Sequence, residues 1–150
     1  MTILEDYVIS SFNSRFFSQI VTIESSSFQN PYSSDYLRLL TTWHPELFLV
    51  AVFDELVLGY VVASAKGKQG RIISLAVRPE YRKRGIGTDL LRRLLERLQS
   101  IGVVEVSLEV REDNLAAITL YDKLGFKLTG RIDRYYEDGC AALVFERSIP

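Results

Sequence analysis

Residues 71–98 read R-I-I-S-L-A-V-R-P-E-Y-R-K-R-G-I-G-T-D-L-L-R-R-L-L-E-R-L, and the hydrophobic period changes in the middle of the stretch. Arg71 to Val77 is a short apolar run closed by Pro79, which cannot donate to a sheet ladder. From Gly85 onward Ile86, Leu90, Leu94 and Leu98, joined by Leu91 and Leu95, fall on one helical face, while Arg92, Arg93, Glu96 and Arg97 face away. Gly102 ends this helix, and Val104 to Val110 alternates as another strand. A strand, a helix and a second strand in this order predict a βαβ crossover, and so a parallel pair inside the sheet.

The flanks read as hairpins and further helices. Tyr7 to Phe12 is a candidate strand, and Asn13 is a plausible N-cap for a helix to about Ser27 carrying Phe16, Phe17, Ile20, Val21 and Ile23. After a loop around Gln29-Asn30-Pro31, Ser33 or Ser34 caps a short helix through Leu40. Leu47 to Phe53 and Val57 to Ala65 form a hairpin around Asp54-Glu55, and Gly67-Lys68-Gln69-Gly70 turns the chain into the stretch quoted above. Beyond Val110, a helix from about Asn114 to Leu124 is stopped by Gly125, and strands near Phe126 to Tyr135 and Ala141 to Ile149 flank Asp138-Gly139. The expectation is an α/β fold in one domain over residues 1–150. Its sheet is mixed and mostly antiparallel, with about seven strands, a central parallel pair and about four flanking helices.

Composition narrows the function classes. The 150 residues are 47% apolar, enough for one compact core. Lys plus Arg number 18 against 19 Asp plus Glu, which lacks the basic excess of a nucleic-acid binder, so any anion site must be local. Cys140 is the only cysteine, which excludes an internal disulfide and a cysteine-based zinc site; no metal is expected. The opening at Met1 to Asp6 carries acid where a signal peptide carries base, and no apolar run approaches the ~18 residues that span a bilayer. These features predict a cytoplasmic protein with no membrane partner.

The most specific local feature is Arg82-Lys83-Arg84-Gly85-Ile86-Gly87, between strand and helix. Unpaired N–H groups and a partial positive charge at a helix N-terminus suit a phosphate, and glycine lets the backbone approach it. Arg78 adds charge nearby. A tight turn with solvated basic residues is the competing reading. A dinucleotide fingerprint would need a third glycine where Leu90 stands, and no Gly-Lys-Ser/Thr triphosphate loop occurs.

This loop resembles the Arg/Gln-x-x-Gly-x-Gly/Ala signature of the GNAT acetyltransferases. Leu75 to Tyr81 resembles the strand leading into it. Leu108-Glu109-Val110-Arg111-Glu112-Asp113-Asn114, Leu120-Tyr121 and Gly125-Phe126 resemble the distal half of the RimI-like branch, which acetylates protein N-termini. The match runs in order over about residues 47 to 147, and the first 46 residues match only loosely.

The resemblance implies acetyl-coenzyme A as co-substrate and direct acetyl transfer to a primary amine, here the α-amine of a protein or peptide. It implies that backbone groups of Leu75, Ala76 and Val77 pair with the pantetheine arm, and that the loop Arg82, Lys83, Arg84, Gly85, Ile86, Gly87 and Thr88 holds the diphosphate. Tyr121 would be the general acid, against a plain reading as a core aromatic. Glu109 would be the base, against an outward carboxylate paired with Arg111. Asn114 would touch the coenzyme arm or simply cap its helix. The acceptor would lie between Phe28, Pro31 and Tyr32 on one side and Tyr135 on the other, with Glu24 attracting its ammonium. A free small amine as acceptor, such as a polyamine or aminoglycoside, and a non-catalytic acetyl-coenzyme A sensor are the alternatives. His44 and Cys140 receive no role.

Overall fold

The change of period at Gly85 governs how the chain folds in the computed structural model, which describes residues 6–150. The opening residues through Glu5 lie outside the described residues. The strands are β1 (Val8–Ser11), β2 (Phe48–Phe53), β3 (Leu56–Lys66), β4 (Gln69–Val77), β5 (Glu105–Arg111), β6 (Lys127–Ile132) and β7 (Ala142–Ser148). The helices are α1 (Phe17–Ser27), α2 (Ser34–Trp43), α3 (Ile86–Ser100) and α4 (Leu115–Lys123). The strands form one 7-stranded sheet in the order β1-β2-β3-β4-β5-β7-β6, in which β4 and β5 are the parallel pair and the other described pairs are antiparallel.

The sheet is covered on both faces. Alternation sends Leu49, Ala51, Val61 and Ile72 to the face packed against Leu90, Leu91, Leu94 and Leu98 of α3. Those four leucines are fully buried, and each contributes roughly 1.5–3 kcal/mol. The opposite set, Phe48, Val50, Tyr60 and Val62, packs against Ile20 and Ile23 of α1 and Leu37 and Leu40 of α2.

Several boundaries differ from the sequence reading. A 3-10 turn, Ser14–Phe16, precedes α1, and the Asn13 side chain caps that turn by accepting from the Arg15 N–H. Helix α2 continues past Leu40 to Trp43. Strand β6 ends at Ile132, because Asp133 and Arg134 turn, so Tyr135 and Tyr136 lie in a loop.

Two irregularities shape the centre. Val62 lies opposite Ser74 and Ala63 opposite Ile72, which leaves Ile73 as the extra residue of a bulge in β4. The parallel pairing of β4 with β5 covers only Gln69–Arg71 against Glu105–Ser107, although both strands run on. Beyond that point they part.

Candidate active site

The parting of β4 and β5 opens a cleft of about 300 Å³. Ile73, Ser74 and Leu75 line it from β4, and Glu109, Val110 and Arg111 from β5. Asn114 at the N-cap of α4, with Ala117 and Tyr121 of that helix, closes one side, while Glu24, Phe28, Asn30 and Tyr32 face Tyr135, Tyr136 and Glu137 across the other.

The strand rims leave backbone groups in the opening. The Arg78 N–H donates to the Leu58 carbonyl, so by alternation Ala76 also faces β3, while Leu75 and Val77 face the gap. Leu75 and Val77 therefore suit pairing with an amide-bearing arm; Ala76 has its backbone groups turned to β3. The Val77 carbonyl accepts from Arg82 Nε at 2.9 Å, and Arg82 Nη2 donates to Ser27 Oγ at 3.4 Å, so this arginine braces the loop mouth. The Arg78 guanidinium turns away, donating to the Val57 carbonyl at 2.5 Å and to Gln19 at 3.0 Å, and adds no charge to the loop mouth.

Helix α3 begins without a side-chain cap. Gly85, at φ 87°, holds the left-handed conformation that starts it, and a Cβ there would meet nothing within 4 Å. The amides of Lys83, Gly85, Ile86, Gly87 and Thr88 make no hydrogen bond among the described residues. Uncapped amides beside open space fit a diphosphate. Ile86 is buried and anchors the first turn, Gly87 lets it approach Leu120 of α4, and the Arg84 guanidinium lies 5.7 Å from the centre of the Tyr81 ring.

Tyr121 is 6% exposed, stacks edge-on against Phe126 and lines the cleft. Its hydroxyl has no hydrogen-bond partner among the described residues, and burial pushes the phenol above its ordinary value. Such a phenol holds its proton at neutral pH. Glu109 is 24% exposed and accepts from Arg71, at 3.1 Å from Nε and 3.0 Å from Nη2. Its partner is thus Arg71, across the parallel pair, and not Arg111. Asn114 caps α4 through the Ala117 N–H at 3.2 Å, and also lines the cleft.

Glu24 is the buried carboxyl of the acceptor side, at 1% exposed. One oxygen accepts from the Tyr60 hydroxyl and from Ser74 Oγ at 2.7 Å; the other accepts from the Tyr32 N–H at 3.0 Å. Its first effect is architectural, since it ties the α1–α2 loop to β3 and β4. Phe28, Tyr32 and Tyr135 line the cleft, whereas Pro31 does not and Asn30 does. Burial raises the Tyr136 phenol to about 12.

The sequence reading passed over Ile73, Ser74, Asn30, Arg111 and Glu137. The bulge that aims Ser74 has no marker in the letters, but the Asp138-Gly139 turn opposite an arginine at a strand end was a usable sign for Arg111. Among the described residues no group of three or more His, Cys, Asp or Glu could hold a metal ion, and no helix is long and apolar enough to cross a membrane.

The known proteins to which this chain is similar include acetyltransferases. The profile of the acetyltransferase (GNAT) family matches residues 17–126. An uncharacterized N-acetyltransferase of Methanocaldococcus jannaschii is 34% identical over 144 residues, covering 95% of this chain and 92% of the relative. N-alpha-acetyltransferase 30 of Schizosaccharomyces pombe is 30% identical over 136 residues, covering 87% and 91%. The crystal structure of Ard1 from Thermoplasma volcanium superposes with a TM-score of 0.92 at 29% identity, covering 96% of this chain and 98% of that one. The uncapped glycine turn, the parted strands and these matches agree: the chain belongs to the GNAT acetyltransferase family.

Proposed function

We propose that this protein transfers the acetyl group of acetyl-coenzyme A to the N-terminal α-amine of a protein or peptide. One observation carries the reading: a single cleft joins the gap-facing Leu75 backbone of β4 and the Tyr121 phenol to an aromatic-walled acceptor side that includes Glu24. The name of the fission-yeast relative, an N-alpha-acetyltransferase, supports the same acceptor.

Bound acetyl-coenzyme A supplies an already activated acyl group. The amides of Lys83 and of Gly85 through Thr88 would hold its diphosphate, and Leu75 and Val77 would align its arm. The Val77 N–H, which faces the gap, would stabilise negative charge on the reacting carbonyl oxygen. Glu109, directly or through one water, would take the proton that an α-ammonium of pKa ≈ 7.7–8.0 must lose before attack. Tyr121 would donate its proton to the departing sulfur. Tyr32 and Tyr135 would pack on the first residues of the acceptor, and a rigid phenol ring suits that contact. A reducing cytoplasm suits the lone thiol of Cys140.

The test is coenzyme A release on a panel of peptides with different first residues, with polyamines and a peptide whose only amine is an internal lysine as controls. Free N-termini should react fastest, and Tyr32→Ala and Tyr135→Ala should raise the peptide KM while sparing that for acetyl-coenzyme A. Faster turnover of polyamines or of the internal lysine would overturn the acceptor. Tight acetyl-coenzyme A binding without release to any amine would make the chain a sensor.

A further inference from the structure

The two walls of the acceptor cleft are far apart in sequence, and one side chain touches both. Arg111 ends β5, is 13% exposed and lines the cleft. Its Nη1 donates to Asn30 Oδ1 at 3.3 Å, on the loop between α1 and α2, and to Asp138 Oδ1 at 3.1 Å, on the loop between β6 and β7. Its Nη2 donates to Asp138 Oδ2 at 2.7 Å and to Asp113 at 3.1 Å, and its Nε donates to Asp113 at 3.1 Å. Every N–H of the guanidinium is thereby used, in two bidentate pairs and one bridge.

The same guanidinium lies 5.0 Å from the centre of the Tyr136 ring. Asp138 in turn accepts from the Cys140 N–H, closing the turn that carries Tyr135 and Tyr136. The Arg111 carbonyl accepts from the Asn114 N–H at the start of α4. The residue therefore sits where both walls, the strand carrying Glu109 and the helix carrying Tyr121 converge.

We infer that Arg111 is a positioning residue for the acceptor: it clamps the Asn30 and Asp138 loops at a fixed separation and so sets the width of the groove that receives the amine-bearing chain. This inference rests on the peptide acceptor proposed above. The bonds differ in what they join. Asp113 is two residues away on the same segment, so its pair orients the guanidinium, whereas Asn30 and Asp138 carry the coupling between walls. Lysine would keep the charge but has three donors on a point ammonium, and cannot reach three partners in one plane.

The test uses Arg111→Lys, with Asn30→Ala and Asp138→Asn as milder variants on exposed loops. Arg111→Lys should raise the peptide KM about tenfold or more, with the acetyl-coenzyme A KM within about twofold of wild type. Amide exchange should quicken by about tenfold or more in residues 28–33 and 133–141, and stay unchanged in α3. Asn30→Ala should raise the peptide KM in the wild-type background and add little to Arg111→Lys, since the contact is already lost. Unchanged loop exchange, or loosened loops with an unchanged peptide KM, would overturn the inference, as would an equal rise in both KM values. Wild-type turnover on peptides separates it from the acceptor reading: without any, both fall, whereas normal turnover with an unaltered Arg111→Lys KM overturns the clamp alone.

Discussion

Replacing Tyr121 with phenylalanine should leave stability almost unchanged and lower activity, and the two results together identify the role of the phenol. The ring is 6% exposed and stacked on Phe126, so its packing survives the change. The hydroxyl has no protein partner among the described residues, but it opens on the cleft, where solvent can satisfy it, since no buried side-chain oxygen among those residues lacks a hydrogen-bond partner. Its removal should therefore change stability by no more than about 0.5 kcal/mol, which for a chain of this size moves the Tm by at most about 2 °C. Turnover should fall at least ~100-fold, the low end for a general acid, because a thiolate leaves without much help. Burial holds the phenol above its ordinary value of 10.0, so the wild-type kcat should show no falling limb from this group below about pH 10. Thermal melts and steady-state coenzyme A release measure both quantities on one preparation. A Tyr121→Phe chain that melts lower and turns over normally would make Tyr121 a core aromatic and refute the acid assignment.

Glu109→Gln keeps an acceptor for Arg71 and removes the base, so the defect in kcat should be about 100-fold near pH 6.5 and shrink above pH 8, where the free amine is plentiful; a defect independent of pH would exclude Glu109. Gly85→Val should cost about 1–2 kcal/mol, because φ is 87° and a Cβ meets no neighbour, leaving backbone strain as the main term. The new side chain beside the α3 amides should also weaken acetyl-coenzyme A binding at least about tenfold by calorimetry, and unchanged affinity in a folded variant would reduce the loop to a turn. Hydrogen bonds from Arg111 hold Asp113 and Asp138 below their usual 3.8, so what they contribute to stability is present above that value and lost only as pH falls through the lowered pKa values. The Cys140 amide resonance, which reports on Asp138, should therefore stay still from pH 8 down to about 4, and a midpoint near 6 would refute the clamp geometry.

The long helix and the loop before it were legible because a leucine stripe at helical spacing, once paired with a preceding strand, leaves few topologies. The hairpin at Asp54-Glu55 was legible too, although both residues adopt positive φ, 50° and 66°, that non-glycine residues seldom take. Register was not legible. Whether Glu109 meets Arg71 or Arg111 depends on where two parallel strands align across an intervening helix, and no local pattern encodes that. The extra residue at Ile73 was hidden for a similar reason: Ile72 and Ile73 are interchangeable in a pattern of apolar letters, yet inserting one residue swings Ser74 to the side where it meets Glu24. Side chains that act as ties, such as Arg82 on the Val77 carbonyl, look like solvated charge until the fold closes around them.

The parting of β4 from β5 makes a slot that is sealed at one end, since the strands are still zipped at Gln69–Arg71 and Glu105–Ser107. A chain running along either rim toward the fork meets that closed end. A chain that pairs with Leu75 and Val77 runs no further than the fork, which limits the length over which an intruding strand from another molecule could zip. The fork thus sets a floor to the slot along the strand direction, and an edge that would invite aggregation elsewhere is kept short here.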